Sequence, residues 1–117
     1  TDHNLILGTD RLVEKILKLL RAGENPELLA YGFHLGLAEC ITAACLCARE
    51  QTGIETAALT GGCYQNTLLL GLTIDHLEAE GFRVLTHNMV PPNDGGIALG
   101  QAVCLMAKQQ HQERSGK

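Results

Sequence analysis

The sequence has no tryptophan, and aromatic residues make up only 3% of it. A core must therefore be filled by Leu, Ile, Val and Ala rather than by stacked rings. Basic charge is also scarce: 9 Lys and Arg stand against 13 Asp and Glu, a net charge of -4. A protein that holds nucleic acid by neutralising phosphates carries a basic footprint, which is missing here, so no nucleic-acid partner is expected. No apolar run approaches the roughly 20 residues of a membrane span, and no signal peptide is visible, so no membrane partner is expected either. No Cys-x-x-Cys pair occurs among Cys40, Cys45, Cys47, Cys63 and Cys104, and their number is odd. They read as small buried apolar residues of a reducing, cytoplasmic protein rather than as a disulfide framework or zinc site. There is no internal repeat and no low-complexity segment. There is no initiating Met either: the chain starts at Thr1, which reads as a piece of something longer.

What is present is a 45% hydrophobic chain of 117 residues, the size of a single domain, 1–117. Residues 1–9 and 110–117 read as loosely ordered ends, with Leu5-Ile6-Leu7 as an edge strand or an ordered lead-in. Asp10 looks like an N-cap for a helix to about Ala22. Its apolar set is Leu12, Val13, Ile16, Leu17, Leu19 and Leu20. Asn25-Pro26-Glu27 is a clear helix start: an Asn cap, Pro at the first position and an acidic first turn. That helix should reach about Gln51, with Gly53 as its stop, and its small residues Ala43, Ala44 and Ala48 invite close packing. Gly32 and Gly36 permit a bend or a tight contact. A strand over Glu55–Thr60, a helix over Gln65–Ala79 with Leu68, Leu69, Leu72 and Leu77 inward, and a strand over Phe82–Thr86 follow. A last helix over Gly95–Gln109 should bury Ile97, Leu99, Val103, Leu105 and Met106. The order is αα-βαβ-α, an α/β fold with parallel strands, a right-handed crossover and one long packing helix. Two parallel strands alone do not make a layer covered on both faces. A third strand from Leu5–Leu7, or sheet from outside this sequence, is therefore expected.

Two glycine-rich turns stand out. Leu59-Thr60-Gly61-Gly62-Cys63-Tyr64-Gln65-Asn66 links the first strand to a helix, and Pro91-Pro92-Asn93-Asp94-Gly95-Gly96 opens the last helix. Glycines at a strand-to-helix turn let a ligand approach the backbone, and helix N-termini offer free N–H groups to negative or polar groups. Asn66, one turn in, supplies an amide that donates and accepts. Both turns read as edges of one nucleotide and metal cleft, of which this chain supplies a part.

Together with Ile97-Ala98-Leu99-Gly100-Gln101-Ala102 and Phe33-His34-Leu35-Gly36-Leu37-Ala38-Glu39, these motifs resemble the C-terminal end of the hydrogenase-maturation carbamoyltransferase family, HypF. That end is a lobe shared with the tRNA threonylcarbamoyl transferases. The resemblance implies part of a ribonuclease-H-like, actin-like ATPase (ASKHA) lobe. It implies an ATP-dependent enzyme that makes carbamoyl-adenylate from carbamoyl phosphate and ATP and passes the carbamoyl group to a C-terminal cysteine of HypE. By position, Gly61, Gly62, Asn66, Gly95 and Gly96 match nucleotide-contacting residues, and Asp94 matches a metal ligand. The metal, whether iron, zinc or magnesium, would be shared with an earlier lobe. The family's His pair is absent here, so no catalytic residue is assigned to this chain, and the fragment alone should be inactive.

Plainer readings stand beside these. Gly61-Gly62 also suits an ordinary turn, and Asn66 a cap. Asn93 or Asp94 suits the cap of the last helix. His34 suits a packed histidine, His87 an exposed loop residue and His76 the polar face of a helix. Cys63 lies by a helix start, where a thiol's pKa can fall, but no base stands beside it in sequence. Two rival functions remain at this point. One is a related O-carbamoyl or tRNA threonylcarbamoyl transferase lobe; the other is a non-catalytic helical interaction module. Apolar surface made for other lobes should drive self-association, as a homodimer.

Overall fold

The computed structural model describes residues 6–116. The element order is α1 (Asp10–Arg21), α2 (Pro26–Thr52), β1 (Thr56–Ala58), a 3-10 turn (Gly62–Gln65), α3 (Thr67–Ala79), β2 (Arg83–Leu85), a second 3-10 turn (Asp94–Gly96) and α4 (Ile97–Ser115). Leu5 lies outside the described residues, and Ile6 and Leu7 are not in a strand. Among the described residues the sheet has two strands, β1 and β2, paired in parallel with Ala57 opposite Val84.

The caps follow the chemistry of their residues. The Asn25 side chain accepts from the Glu27 N–H at 2.9 Å, Pro26 starts α2, and Gly53 ends it with φ 72°. Asp10 is a correction: it is the first residue of α1, and Thr9 holds the cap position without a side-chain bond. Asn66 is another, since it caps α3 rather than lying one turn inside it; its Oδ1 accepts from the Leu69 N–H at 3.1 Å.

The core sits where α2 and α3 cross and β1–β2 lie alongside. Leu59, Leu77 and Phe82 form its centre, with Cys45, Leu46, Ala57, Tyr64 and Val84 around them. The buried stripe of α3 is Leu69, Thr73 and Leu77, spaced four apart, which leaves the expected Leu68 exposed. Opposite it, α2 buries Ala38 and Thr42. Each buried threonine donates to the carbonyl four residues back, Thr42 to Ala38 at 2.9 Å and Thr73 to Leu69 at 2.7 Å, so neither hydroxyl is left unpaired. Arg49 closes the far end, with its guanidinium carbon 4.5 Å from the Phe82 ring centre and a 2.7 Å bond to the Glu80 carbonyl.

Several expectations of burial fail for one reason. Leu12 and Ile16 of α1 are half-buried, while Val13, Leu17, Leu19 and Leu20 are exposed. Leu12 does meet Gly36, where an added Cβ would stand 3.0 Å from it. In α4 the expected core residues Ile97, Leu99, Val103, Leu105 and Met106 are all more than half exposed. The cysteines are half-buried at positions 40, 45 and 47 and exposed at 63 and 104, not fully buried. The alternation along the sheet puts Ala57, Leu59, Phe82 and Val84 inward and leaves the Ala58 and Leu85 face bare. Among the described residues, α4 makes no substantial packing contact with that face or with α2. The molecule is drawn out to 70 × 34 × 27 Å with a radius of gyration of 18.7 Å. A compact domain of this length has a radius of about 13 Å. Its accessible surface is 9068 Å², against roughly 6,200 Å² for a compact monomer of its mass. Helix α2, with 27 residues and a best-window mean hydropathy of 1.4, is long and apolar enough to cross a membrane by length and composition. A helix made to lie between protein layers has the same length and composition.

Candidate functional site

Because β1 and β2 are parallel, the segments that follow them leave the same edge of the sheet. In open α/β sheets that edge is where ligands bind. Three bonds hold the two segments together. The Leu59 N–H donates to the Leu85 carbonyl at 2.9 Å and continues the ladder; the Gly61 N–H donates to the Pro92 carbonyl at 2.8 Å. The Thr60 hydroxyl and His87 Nε2 share a bond of 2.8 Å. Gly61 has φ 105°, a conformation that strains a residue with a side chain, and this turn directs its N–H to Pro92.

The result is an open cavity of about 330 Å³ walled by Thr60, Gly61, His87, Asn93, Asp94 and Gly96. Gly96 is packed closely there: an added Cβ would lie 3.0 Å from the Pro91 carbonyl oxygen and from Val90. The Asn93 side chain accepts from the Gly95 N–H at 3.0 Å. Asn93, not Asp94, is therefore the cap of this turn, and the Asp94 carboxylate is not committed to that role. A neighbouring cavity of about 270 Å³, lined by Tyr64, Gln65, Thr86 and others, shares His87 and Pro92 with the first.

Of the residues singled out in the sequence, the structure brings Gly61, Asp94 and Gly96 into one cavity wall. Gly95 stands between two of them. Gly62 and Asn66 are not in that wall. Gly62 begins the 3-10 turn, where an added Cβ would meet open space. Asn66 turns toward α2, and its Nδ2 lies 2.7 Å from His34 Nε2. Sequence reasoning gave no weight to Thr60 and left His87 as a loop residue. Their type carries no signal; only the parallel register puts them side by side. Tyr64 was also missed. Its phenol is pushed above the usual range by burial first and by Cys63 and Cys45 second, while a bond with Thr73 works the other way. Burial likewise raises the Cys45 thiol. Among the described residues, no group of three or more His, Cys, Asp and Glu is placed to hold a metal ion.

The family model described as "Carbamoyltransferase, Kae1-like Domain, second subdomain" matches residues 1–101. The chain belongs to the HypF carbamoyltransferase family. It is 42% identical over 93 residues to a carbamoyltransferase HypF of Rhodobacter capsulatus, covering 80% of this chain and 12% of that protein. It is 32% identical over 105 residues to a probable carbamoyltransferase HypF of Methanocaldococcus jannaschii, covering 90% and 14%. Among solved structures it superposes on a full-length HypF in a phosphate- and nucleotide-bound form, with a TM-score of 0.75 and 35% identity over 78% of this chain and 12% of that one. The chain thus spans about an eighth of the length of each of these three proteins. The fold expectation stands in its coarser form: a mixed helical chain with a parallel strand pair, similar to the second subdomain of the Kae1-like domain.

Proposed function

We propose that this chain forms part of the nucleotide and metal cleft of an ATP-dependent HypF carbamoyltransferase of the ribonuclease-H-like, actin-like (ASKHA) architecture. The whole enzyme makes carbamoyl-adenylate from carbamoyl phosphate and ATP, then transfers the carbamoyl group to the C-terminal cysteine of HypE in [NiFe]-hydrogenase maturation. In the transfer, the thiolate forms a C–S bond to the carbamoyl carbon as the C–O bond to the adenylate phosphate breaks, and AMP leaves. The observation that carries this reading is the 2.8 Å bond from Gly61 to Pro92, which places Gly61 and Asp94 around one cavity. The similar solved structure, a phosphate- and nucleotide-bound form, supports it.

In this reading Gly61, Gly62, Gly95 and Gly96 let a nucleotide approach the backbone, and Asn66 contributes its amide. Asp94 completes a divalent metal site, of iron, zinc or magnesium, whose other ligands come from another lobe. Such a metal would stabilise charge developing on phosphate. This chain alone supplies too few groups for catalysis. The bare sheet face and the apolar start of α4 fit either that other lobe or a second copy of the chain. The protein acts in the cytoplasm.

Titration of the isotope-labelled chain with ADP and ATP, with and without divalent metal, tests the site by NMR. Shifts centred on Gly61, Gly62, Asn66, Asp94 and Gly96 are expected. Their absence both here and in a polypeptide extended to the length of the relatives would overturn the reading.

A further inference from the structure

His34 and Asn66 belong to different helices and meet outside the cavity wall. The His34 Nδ1 is 2.7 Å from the Ala30 carbonyl oxygen, one turn back in α2. A carbonyl only accepts, so Nδ1 carries a proton. On the other side of the ring, Nε2 is 2.7 Å from Asn66 Nδ2. The Asn66 oxygen is occupied elsewhere, accepting the Leu69 N–H at 3.1 Å. Rotating the amide by half a turn would set NH₂ against the Leu69 N–H, donor against donor. Nδ2 must therefore face the ring and donate, and Nε2 must accept. The whole chain of bonds has one consistent solution: Leu69 N–H to Asn66 Oδ1, Asn66 Nδ2–H to His34 Nε2, and His34 Nδ1–H to the Ala30 carbonyl. The ring is neutral in this arrangement. Phe33 meets it edge-on, with ring centroids 5.9 Å apart and planes at 89°.

We infer that His34 is a positioning residue for Asn66: in its Nδ1–H tautomer it fixes the rotation of the Asn66 amide at the mouth of the glycine-rich turn, so that a nucleotide meets a preset donor and acceptor. The inference rests on the nucleotide reading of Asn66 above. An amide has two donor hydrogens and two acceptor lone pairs. One of each is used internally, and one of each remains for a ligand. A side chain held in its bound orientation beforehand loses less freedom on binding. The same bond ties the first turn of α3 to α2, because Asn66 is also the α3 cap.

Nitrogen-detected NMR of the His34 ring and of the Asn66 side-chain amide tests this, together with ADP titration of the wild type, His34→Gln and His34→Leu. Glutamine keeps an acceptor for Nδ2; leucine removes it. The expected result is the Nδ1–H tautomer at neutral pH and a shift of the Asn66 amide resonances in His34→Leu that His34→Gln largely reverses. ADP binding should weaken about tenfold in His34→Leu and return to within about threefold in His34→Gln, as loss of one hydrogen bond predicts. Thermal melts of both variants separate this from general unfolding, since a purely structural residue would lose binding only in step with melting temperature. An Nε2–H tautomer, or His34→Leu binding ADP like wild type, would overturn the inference. If the wild-type chain gives no ADP response, the nucleotide reading fails for the isolated chain. The tautomer and the Asn66 resonances then decide the positioning role by themselves.

Discussion

Gly61 donates its N–H to the carbonyl of Pro92 at 2.8 Å, and this bond joins two turns that lie far apart in sequence. It depends on Gly61 having φ 105°. Gly61→Ala should therefore cost about 1 kcal/mol or more of stability, because a Cβ is strained there. Gly62→Ala should be nearly neutral for folding, since its backbone is ordinary and the space beside it is open. Urea denaturation of the two variants checks this. If Gly62→Ala folds normally but loses nucleotide response, the open space at Gly62 belongs to the ligand.

Gly96 makes a second, steric prediction. A Cβ there would lie 3.0 Å from a backbone oxygen, which has no flexible end to yield. Gly96→Ala should displace the Pro91 segment and broaden or shift the Thr60 and His87 resonances across the cavity. Amide spectra of the variant read this directly.

Asn66 can be dissected by substitution. Asn66→Ala removes the α3 cap and should destabilise by about 1 kcal/mol. Asn66→Asp keeps the acceptor for Leu69 but turns the group facing His34 from a donor into an acceptor, so it should retain most of the stability while changing which ring nitrogens of His34 carry protons. Denaturation midpoints and His34 ring shifts together separate the two functions of one side chain.

Alkaline pH should destabilise the fold. Cys45 is raised from an ordinary value of 9.0 and Tyr64 from 10.0, both chiefly by burial. For a group whose pKa is higher folded than unfolded, the stabilisation is complete below the unfolded pKa and is lost as pH rises through the folded one. Urea midpoints should hold steady from neutral pH to about 9 and then fall. In the native protein, the exposed Cys63 and Cys104 should react with a thiol reagent well before Cys45.

The apolar start of α4 should drive self-association. Val103→Glu with Met106→Glu places charge on a surface that is 56% and 60% exposed. Sedimentation should show the wild type associating as concentration rises and the double variant staying monomeric. A monomeric wild type at high concentration would count against self-association through that surface.

The caps of α2 were legible one residue at a time. Asn25-Pro26 and Gly53 bound α2 because capping is local chemistry, settled by a side chain and the nearest backbone groups. The strand–helix–strand unit was legible for a similar reason, through its alternation and its glycine stops. The role of Asn66 was not. Its helix begins after a 3-10 turn that looks, in sequence, like the helix itself.

The sequence by itself determined the elements, their order and the two glycine-rich turns, because each rests on contacts between near neighbours in the chain. It also carried the family resemblance, since the motifs are strings of residues. Only the tertiary structure decided that Gly61, Asp94 and Gly96 share a wall, that Asn93 rather than Asp94 caps its turn, and that His34 reaches Asn66. Those facts depend on parallel register and on how α2 crosses α3, which are set by packing between distant residues. The structure also decided that α4 stays uncovered. An apolar pattern states that a face should be buried; whether anything lies against it depends on the atoms available to pack there.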